Sequence, residues 1–94
     1  MKDLFDKVSA RTSKMVTNRY STSFSLGIKL LNSEIRPAIY AVYGFVRLAD
    51  EIVDSFHDFD KKVLLDRFRE DTYRALDERI SLNPILNSFY IING

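Results

Sequence analysis

Four side chains with chemical capability recur along one stretch of the sequence, Tyr40–Asp54, which reads YAVYGFVRLADEIVD. On a helix turning about 100° per residue, Tyr43, Arg47, Asp50 and Asp54 stand at i, i+4, i+7 and i+11 and share a stripe roughly 60° wide. Two carboxylates one turn apart can converge on a single hard cation. Mg²⁺ keeps several waters and is usually held by one or two carboxylates together with phosphate oxygens of a substrate, so the Asp50–Asp54 pair anticipates a phosphorylated ligand. With the carboxylates about 6 Å apart at an effective dielectric of ~20, their repulsion is near 3 kcal/mol, and a divalent ion reverses its sign. Arg47 presents a planar fork suited to phosphate, and Tyr43 aims its hydroxyl along the same stripe.

Each of these residues has a plainer use. A D-x-x-x-D spacing arises on exposed acidic helix faces, Arg47 is in reach of Asp50 or Glu51 as a same-helix ion partner, and Tyr43 reads first as a core aromatic with its hydroxyl satisfied. Glu51 lies about 80° from the stripe's centre and is the weaker ligand. His57, the one histidine, sits among acidic residues in a turn and reads as solvated. Ser21 and Ser23 read by themselves as helix caps.

Positioning these groups requires helices. Ile39, Val42, Phe45, Val46, Leu48, Ala49, Ile52, Val53 and Phe56 make the central helix apolar around most of its surface, which predicts burial on several sides with the polar stripe lining an internal cavity. Ser33 as cap and Pro37 in the first turn place its start near Glu34, and it should run to about Phe56. Before it, Asp3 should cap a first helix reaching about Thr17, with Leu4, Phe5, Val8, Met15 and Val16 on its apolar face. The hydroxyl-rich Arg19–Ser25 should bend or restart the chain, and a short helix should cover Phe24–Leu31. After it, Asp60 should cap a helix over Lys61–Ile80 with Leu64, Phe68, Leu76 and Ile80 as its seam. Asn83-Pro84 should open a last helix carrying Ile85, Leu86 and Phe89. The expectation is an all-α chain of four to five helices.

Composition narrows the function. Of 94 residues, 46% are hydrophobic and 29% charged, with a net charge of +1, which suits one globular domain and offers no basic stripe for nucleic acid. The absence of Cys excludes disulfides, thiolate metal sites and a cysteine nucleophile. No apolar run approaches the 18 residues of a membrane span, and MKDLFDKVSA is too charged for a signal peptide, so a cytoplasmic protein is expected. A chain of this length buries only about 60–65% of its unfolded surface. Apolar surface should therefore stay uncovered, with Phe45, Val46, Ile52, Val53 and Phe89–Ile92 as the suspects for self-association.

Ser21-Thr22-Ser23-Phe24, then Ile39-Tyr40-Ala41-Val42-Tyr43, then Arg47-Leu48-Ala49-Asp50-Glu51-Ile52-Val53-Asp54 together resemble the squalene and phytoene synthase family. The order and spacing of the three pieces are far more specific than any one of them, and R-x-A-D-E-x-V-D is nearer the bacterial phytoene synthase branch. The resemblance implies an isoprenoid synthase fold that joins two prenyl diphosphates head to head through a cyclopropyl diphosphate intermediate, with geranylgeranyl diphosphate and carotenoid biosynthesis as the expected setting. It implies Mg²⁺ or Mn²⁺ held by Asp50 and Asp54 of the first aspartate-rich motif, with Ser21, Ser23, Phe24, Tyr43 and Arg47 on the substrate side. It also implies peripheral membrane contact for a lipophilic product. The likeness covers about Phe5 to Phe89, roughly the first third of a family domain. The family's second aspartate-rich motif is absent from these residues, and Tyr90–Gly94 departs from the longer helix the family would continue. The expectation is a partial domain over residues 1–94 that is inactive alone. Two alternatives stay open: a non-catalytic helical assembly module derived from the fold, and another class I isoprenoid synthase, which the serine motif with Tyr43 and Arg47 argues against.

Overall fold

Ser21 divides the amino-terminal half of the chain. Its backbone is extended (φ −148°, ψ 100°), and that break ends one helix and starts another. The Ser21 amide donates to Thr17 O at 2.9 Å, closing α1 (Lys2–Tyr20), while its hydroxyl accepts from the Phe24 amide at 3.1 Å and caps α2 (Thr22–Ile28). Three more helices follow in the computed structural model, which describes residues 1–93: α3 (Arg36–Asp54), α4 (Lys61–Glu78) and α5 (Pro84–Asn93). Among the described residues no strand forms, and no helix is long and apolar enough to cross a membrane. The all-α expectation holds, and Gly94, the end of the segment expected to depart from the family's pattern, lies outside the described residues.

Helix boundaries differ from the expected ones where polar residues found other work. Asp3 does not cap α1; it lies inside the first turn, where a carboxylate complements the helix dipole. Ser33 does not cap α3. The turn before that helix is tied by Asn32 Oδ1, which accepts from the Glu34 amide at 2.9 Å, and by Arg36, whose Nε and Nη2 donate to the carbonyls of Leu31 and Lys29 at 3.0 and 2.8 Å. The helix therefore starts at Arg36, with Pro37 in its first turn, and stops at Asp54 instead of Phe56. Asp60 caps α4 as expected, accepting from the Val63 amide at 3.2 Å, and Arg79 ends that helix in the left-handed conformation (φ 63°). Asn83 caps α5 by accepting from the Ile85 and Leu86 amides at 2.9 and 3.3 Å.

The face that α1 buries is polar. Ser9, Ser13 and Thr17, spaced i, i+4 and i+8, are fully buried, while Leu4, Val8 and Met15 of the expected apolar face are exposed. Burial of hydroxyls is tolerated only when each is hydrogen-bonded. Ser9 and Thr17 donate to the carbonyls four residues back, at 2.8 and 2.9 Å, and Ser13 bonds to the Ser88 hydroxyl on α5. Buried Asn87 completes the contact by donating to Asp6 Oδ1 at 2.9 Å and Ser9 Oγ at 3.1 Å. Small side chains also permit close approach: a Cβ on Gly44 of α3 would stand 3.1 Å from Ser13 Oγ and 3.4 Å from Ile85 Cδ1.

The apolar core lies on the other side of α3. Ile52, Phe68, Ala75 and Leu86 form its centre, with Phe45, Leu48, Ala49, Phe56, Leu64 and Tyr90 packed around them. Phe45 stacks on Phe89 with ring centres 4.0 Å apart. On α4 the seam is Leu64, Phe68 and Ala75; Leu76 and Ile80 are exposed. Burial of α3 is one-sided as well. Tyr40, Ala41, Gly44 and Ile52 are covered, but Val42, Val46 and Val53 form an exposed row. Of the suspected uncovered residues, Val46, Val53 and Ile91 are exposed, while Ile52 is buried and Phe45 is sandwiched between α4 and α5.

Two outcomes follow from this packing. Gly44→Val, which must displace Ser13 and Ile85, should lower stability by about 1–3 kcal/mol in urea unfolding. The Asn87 amide and then the Lys2 ammonium hold the Asp6 carboxyl below its usual value of 3.8. Its contribution to stability is therefore present above that value and is lost as pH falls through the lower folded-state pKa. Asp6→Asn should flatten the acid limb of a plot of melting temperature against pH.

Candidate functional site on the third helix

Tyr43, Arg47, Asp50 and Asp54 all lie within the unbroken helix α3, so their i, i+4, i+7, i+11 spacing sets them along one stripe. The stripe does not line a closed cavity in this chain. Asp50 and Asp54 are exposed and Tyr43 and Arg47 half-buried, because the helices of this chain cover α3 only on its far sides.

Neither aspartate forms an ion pair among the described residues. Asp54 is the last residue of α3, where the negative end of the helix dipole adds to the two carboxylates in favouring a cation. Oxygen ligands one turn apart, uncommitted and facing solvent, suit Mg²⁺ or Mn²⁺, which complete their shells with water and phosphate oxygens. No cluster of three His, Cys, Asp or Glu side chains assembles among the described residues, and Asp50 and Asp54 stand there as two exposed carboxylates one turn apart.

The serine segment meets the stripe through an aromatic contact. Phe24 of α2 stacks on Tyr43 with ring centres 4.9 Å apart and planes inclined by 27°, setting the first turn of α2 beside α3. Ser21 spends its hydroxyl as the α2 cap. Ser23, exposed in the same turn, makes no side-chain hydrogen bond among the described residues. His57 is exposed in the turn after α3 beside Lys61 Nζ at 3.1 Å, in keeping with a solvated role.

Arg47 pairs with Glu51, one of the two acids the sequence offered it. Its Nη2 lies 3.5 Å from Glu51 Oε2, too long and poorly directed for a hydrogen bond, and Arg47 Nε and Glu51 Oε2 are both buried without a partner. The guanidinium carbon lies over the Tyr20 ring, 5.1 Å from its centre. The nearby Ser55 hydroxyl, then the Tyr20 hydroxyl, and the charge of Arg47 lower the Glu51 carboxyl below the usual range. The Glu51 carboxylate beside it raises the Tyr20 phenol. These contacts are loose, since no hydroxyl reaches the orphaned Oε2. Tyr20, Arg47 and Glu51 border a cavity of about 90 Å³ that Val16, Gly44, Leu48 and Ile85 also line. Sequence reasoning did not single out Tyr20, because its partner lies far along the chain; the i, i+4 spacing of Arg47 and Glu51 was the visible half of the group.

Comparison with known proteins bears on the same residues. A family model described as squalene/phytoene synthase matches residues 17–90, a span that runs from the end of α1 into α5. A presqualene diphosphate synthase from Zymomonas mobilis is 32% identical over 71 residues, covering 73% of this chain and 24% of the relative. The chain thus spans about a quarter of the length of that curated relative. No solved structure matches.

Proposed function

The chain belongs to the squalene/phytoene synthase family, and from that premise we propose that the α3 stripe is the metal and diphosphate side of a head-to-head prenyl transfer site. The observation that carries this reading is the pair Asp50 and Asp54, exposed and free of ion pairs on the same helix as Arg47 and Tyr43. A bound Mg²⁺ or Mn²⁺ supplies charge neutralisation to a departing diphosphate. Asp50 and Asp54 hold that ion at the end of α3, and Arg47 offers in-plane N–H donors to phosphate oxygens. Phe24 stacked on Tyr43 fixes the approach of α2 to the stripe, and Ser23, its neighbour in the chain, is the hydroxyl donor we assign to the diphosphate. The exposed row Val42, Val46 and Val53 gives a hydrocarbon chain an apolar surface beside the charged groups.

The substrate class is a prenyl diphosphate, with geranylgeranyl diphosphate and a phytoene-type product of carotenoid biosynthesis as the first reading, on the strength of R-x-A-D-E-x-V-D. A squalene-type product is the second reading, favoured by the name of the presqualene diphosphate synthase that the chain resembles. Peripheral contact with a membrane, and self-association through the exposed valines, are the partner relations this surface supports.

With geranylgeranyl diphosphate and Mg²⁺ the 94-residue chain should give no coupled product, since its residues offer one aspartate pair. Product formation that Asp50→Asn abolishes would show the opposite. Inorganic pyrophosphate should bind in a Mg²⁺-dependent manner by calorimetry. Asp50→Asn or Arg47→Ala should weaken it about tenfold, equivalent to ~1.4 kcal/mol; affinity unchanged in both variants would remove the site. Sedimentation should show reversible self-association that Val46→Lys reduces, and a strictly monomeric unaltered chain would count against it.

A further inference from the structure

We propose that Tyr20 and Glu51 are positioning residues that hold the Arg47 guanidinium for a phosphate-bearing ligand, an inference that rests on the reading of the α3 stripe given above. A free arginine side chain samples many rotamers, and a binding site that must order it with each ligand loses affinity. Here the ordering is built into the junction of α1 and α2. Tyr20 is the last residue of α1, set by the buried Thr17 one turn earlier and by the extended break at Ser21. Its ring lies against the guanidinium of Arg47, 5.1 Å from Cζ to the ring centre. Glu51, one helical turn beyond Arg47, attracts the same group from 3.5 Å.

The manner of holding is what suits a ligand site. Stacking engages the flat face of a guanidinium, whereas phosphate is recognised by N–H groups at its edge. A carboxylate in good hydrogen-bonding geometry would consume those edge donors. Glu51 stands too far for that, and Arg47 Nε, although buried, has no acceptor among the described residues. The arrangement fixes the charge while leaving donors unspent. A cavity of about 90 Å³ borders the group, so the guanidinium is not packed tight on every side.

Tyr20 is 53% exposed, so replacing it tests the clamp without opening the core. Inorganic pyrophosphate with Mg²⁺ is the probe, and the Arg47 Nε–Hε resonance in the ligand-free chain is the second measurement. Tyr20→Leu should weaken pyrophosphate about three- to tenfold and collapse the resonance toward its solvent-exposed position. Tyr20→Phe, which keeps the ring, should restore affinity to within about twofold of the unaltered chain. Glu51→Gln should also weaken binding, although it removes a negative charge beside an anion site; a charge that merely competes for Arg47 would give tighter binding. Tighter binding in Glu51→Gln, or equal losses in Tyr20→Leu and Tyr20→Phe, would overturn the clamp. Loss of affinity in Arg47→Ala with none in Tyr20→Leu, or no effect of Arg47→Ala while Asp50→Asn still weakens binding, would overturn the clamp alone, whereas no effect of both Arg47→Ala and Asp50→Asn would overturn the reading of the stripe. If the unaltered chain binds no pyrophosphate, the reading of the stripe falls and the resonance decides the clamp: already collapsed in the unaltered chain, it refutes the clamp as well.

Discussion

The arrangement depends on how closely α1 can lie against α3 and α5. Ser9, Ser13 and Thr17 present a row of small side chains, and opposite them Gly44 presents none, with no space for a Cβ to be added freely. Larger apolar residues on this face would bury more surface but hold the axes farther apart. The hydroxyls are buried without large cost because each has a partner in its own helix or on α5. Directional bonds from Asn87 to Asp6 and Ser9 then set the rotation of α5 relative to α1, which apolar contact alone would leave adjustable. Tyr20 reaches Arg47 because the helix carrying it is held at this distance.

Most helices, and the stripe on α3, were legible in the sequence because their signals are local. Asp60 and Asn83-Pro84 mark starts through side chains that bond amides two or three residues ahead, and the spacing of Tyr43, Arg47, Asp50 and Asp54 survives whatever packs around the helix. The buried face of α1 was not legible. Ser and Thr at helical spacing look like a solvated face, and only the facing Asn87, Ser88 and Gly44 show otherwise. Ser33 misled for a related reason: a hydroxyl next to a helix start is a cap only if the turn leaves it free, and Asn32 and Arg36 had already tied that turn.

The shared face of Tyr43, Arg47, Asp50 and Asp54 was legible in the sequence, the environment of that face less so. An apolar circumference suggested a helix covered on several sides, with its stripe facing a cavity, but α1, α4 and α5 cover α3 on the sides of Gly44 and Ile52 and leave the valine row and the aspartates in solvent. Arg47 shows the same limit. Periodicity put Glu51 in its reach, but not the Tyr20 ring, whose contact is tertiary. A stripe of residues at helical spacing fixes which groups share a direction; the surroundings of that direction depend on every other helix.

The valine row has a geometric consequence. Val42, Val46 and Val53 each immediately precede a member of the stripe, Tyr43, Arg47 and Asp54, so the two rows run side by side, separated by about 100° around the axis and only about 1.5 Å along it. Wet and dry surfaces therefore meet along a line parallel to α3. An amphiphile touching both must lie athwart the helix, its ionic head and its oily tail at the same height, and sliding it one turn up or down offers a similar pair of surfaces again. Along this helix the azimuth of an amphiphile laid across both surfaces would be sharply defined and its height would not, and the aspartate pair is the feature that occurs only at the carboxy-terminal end of the row.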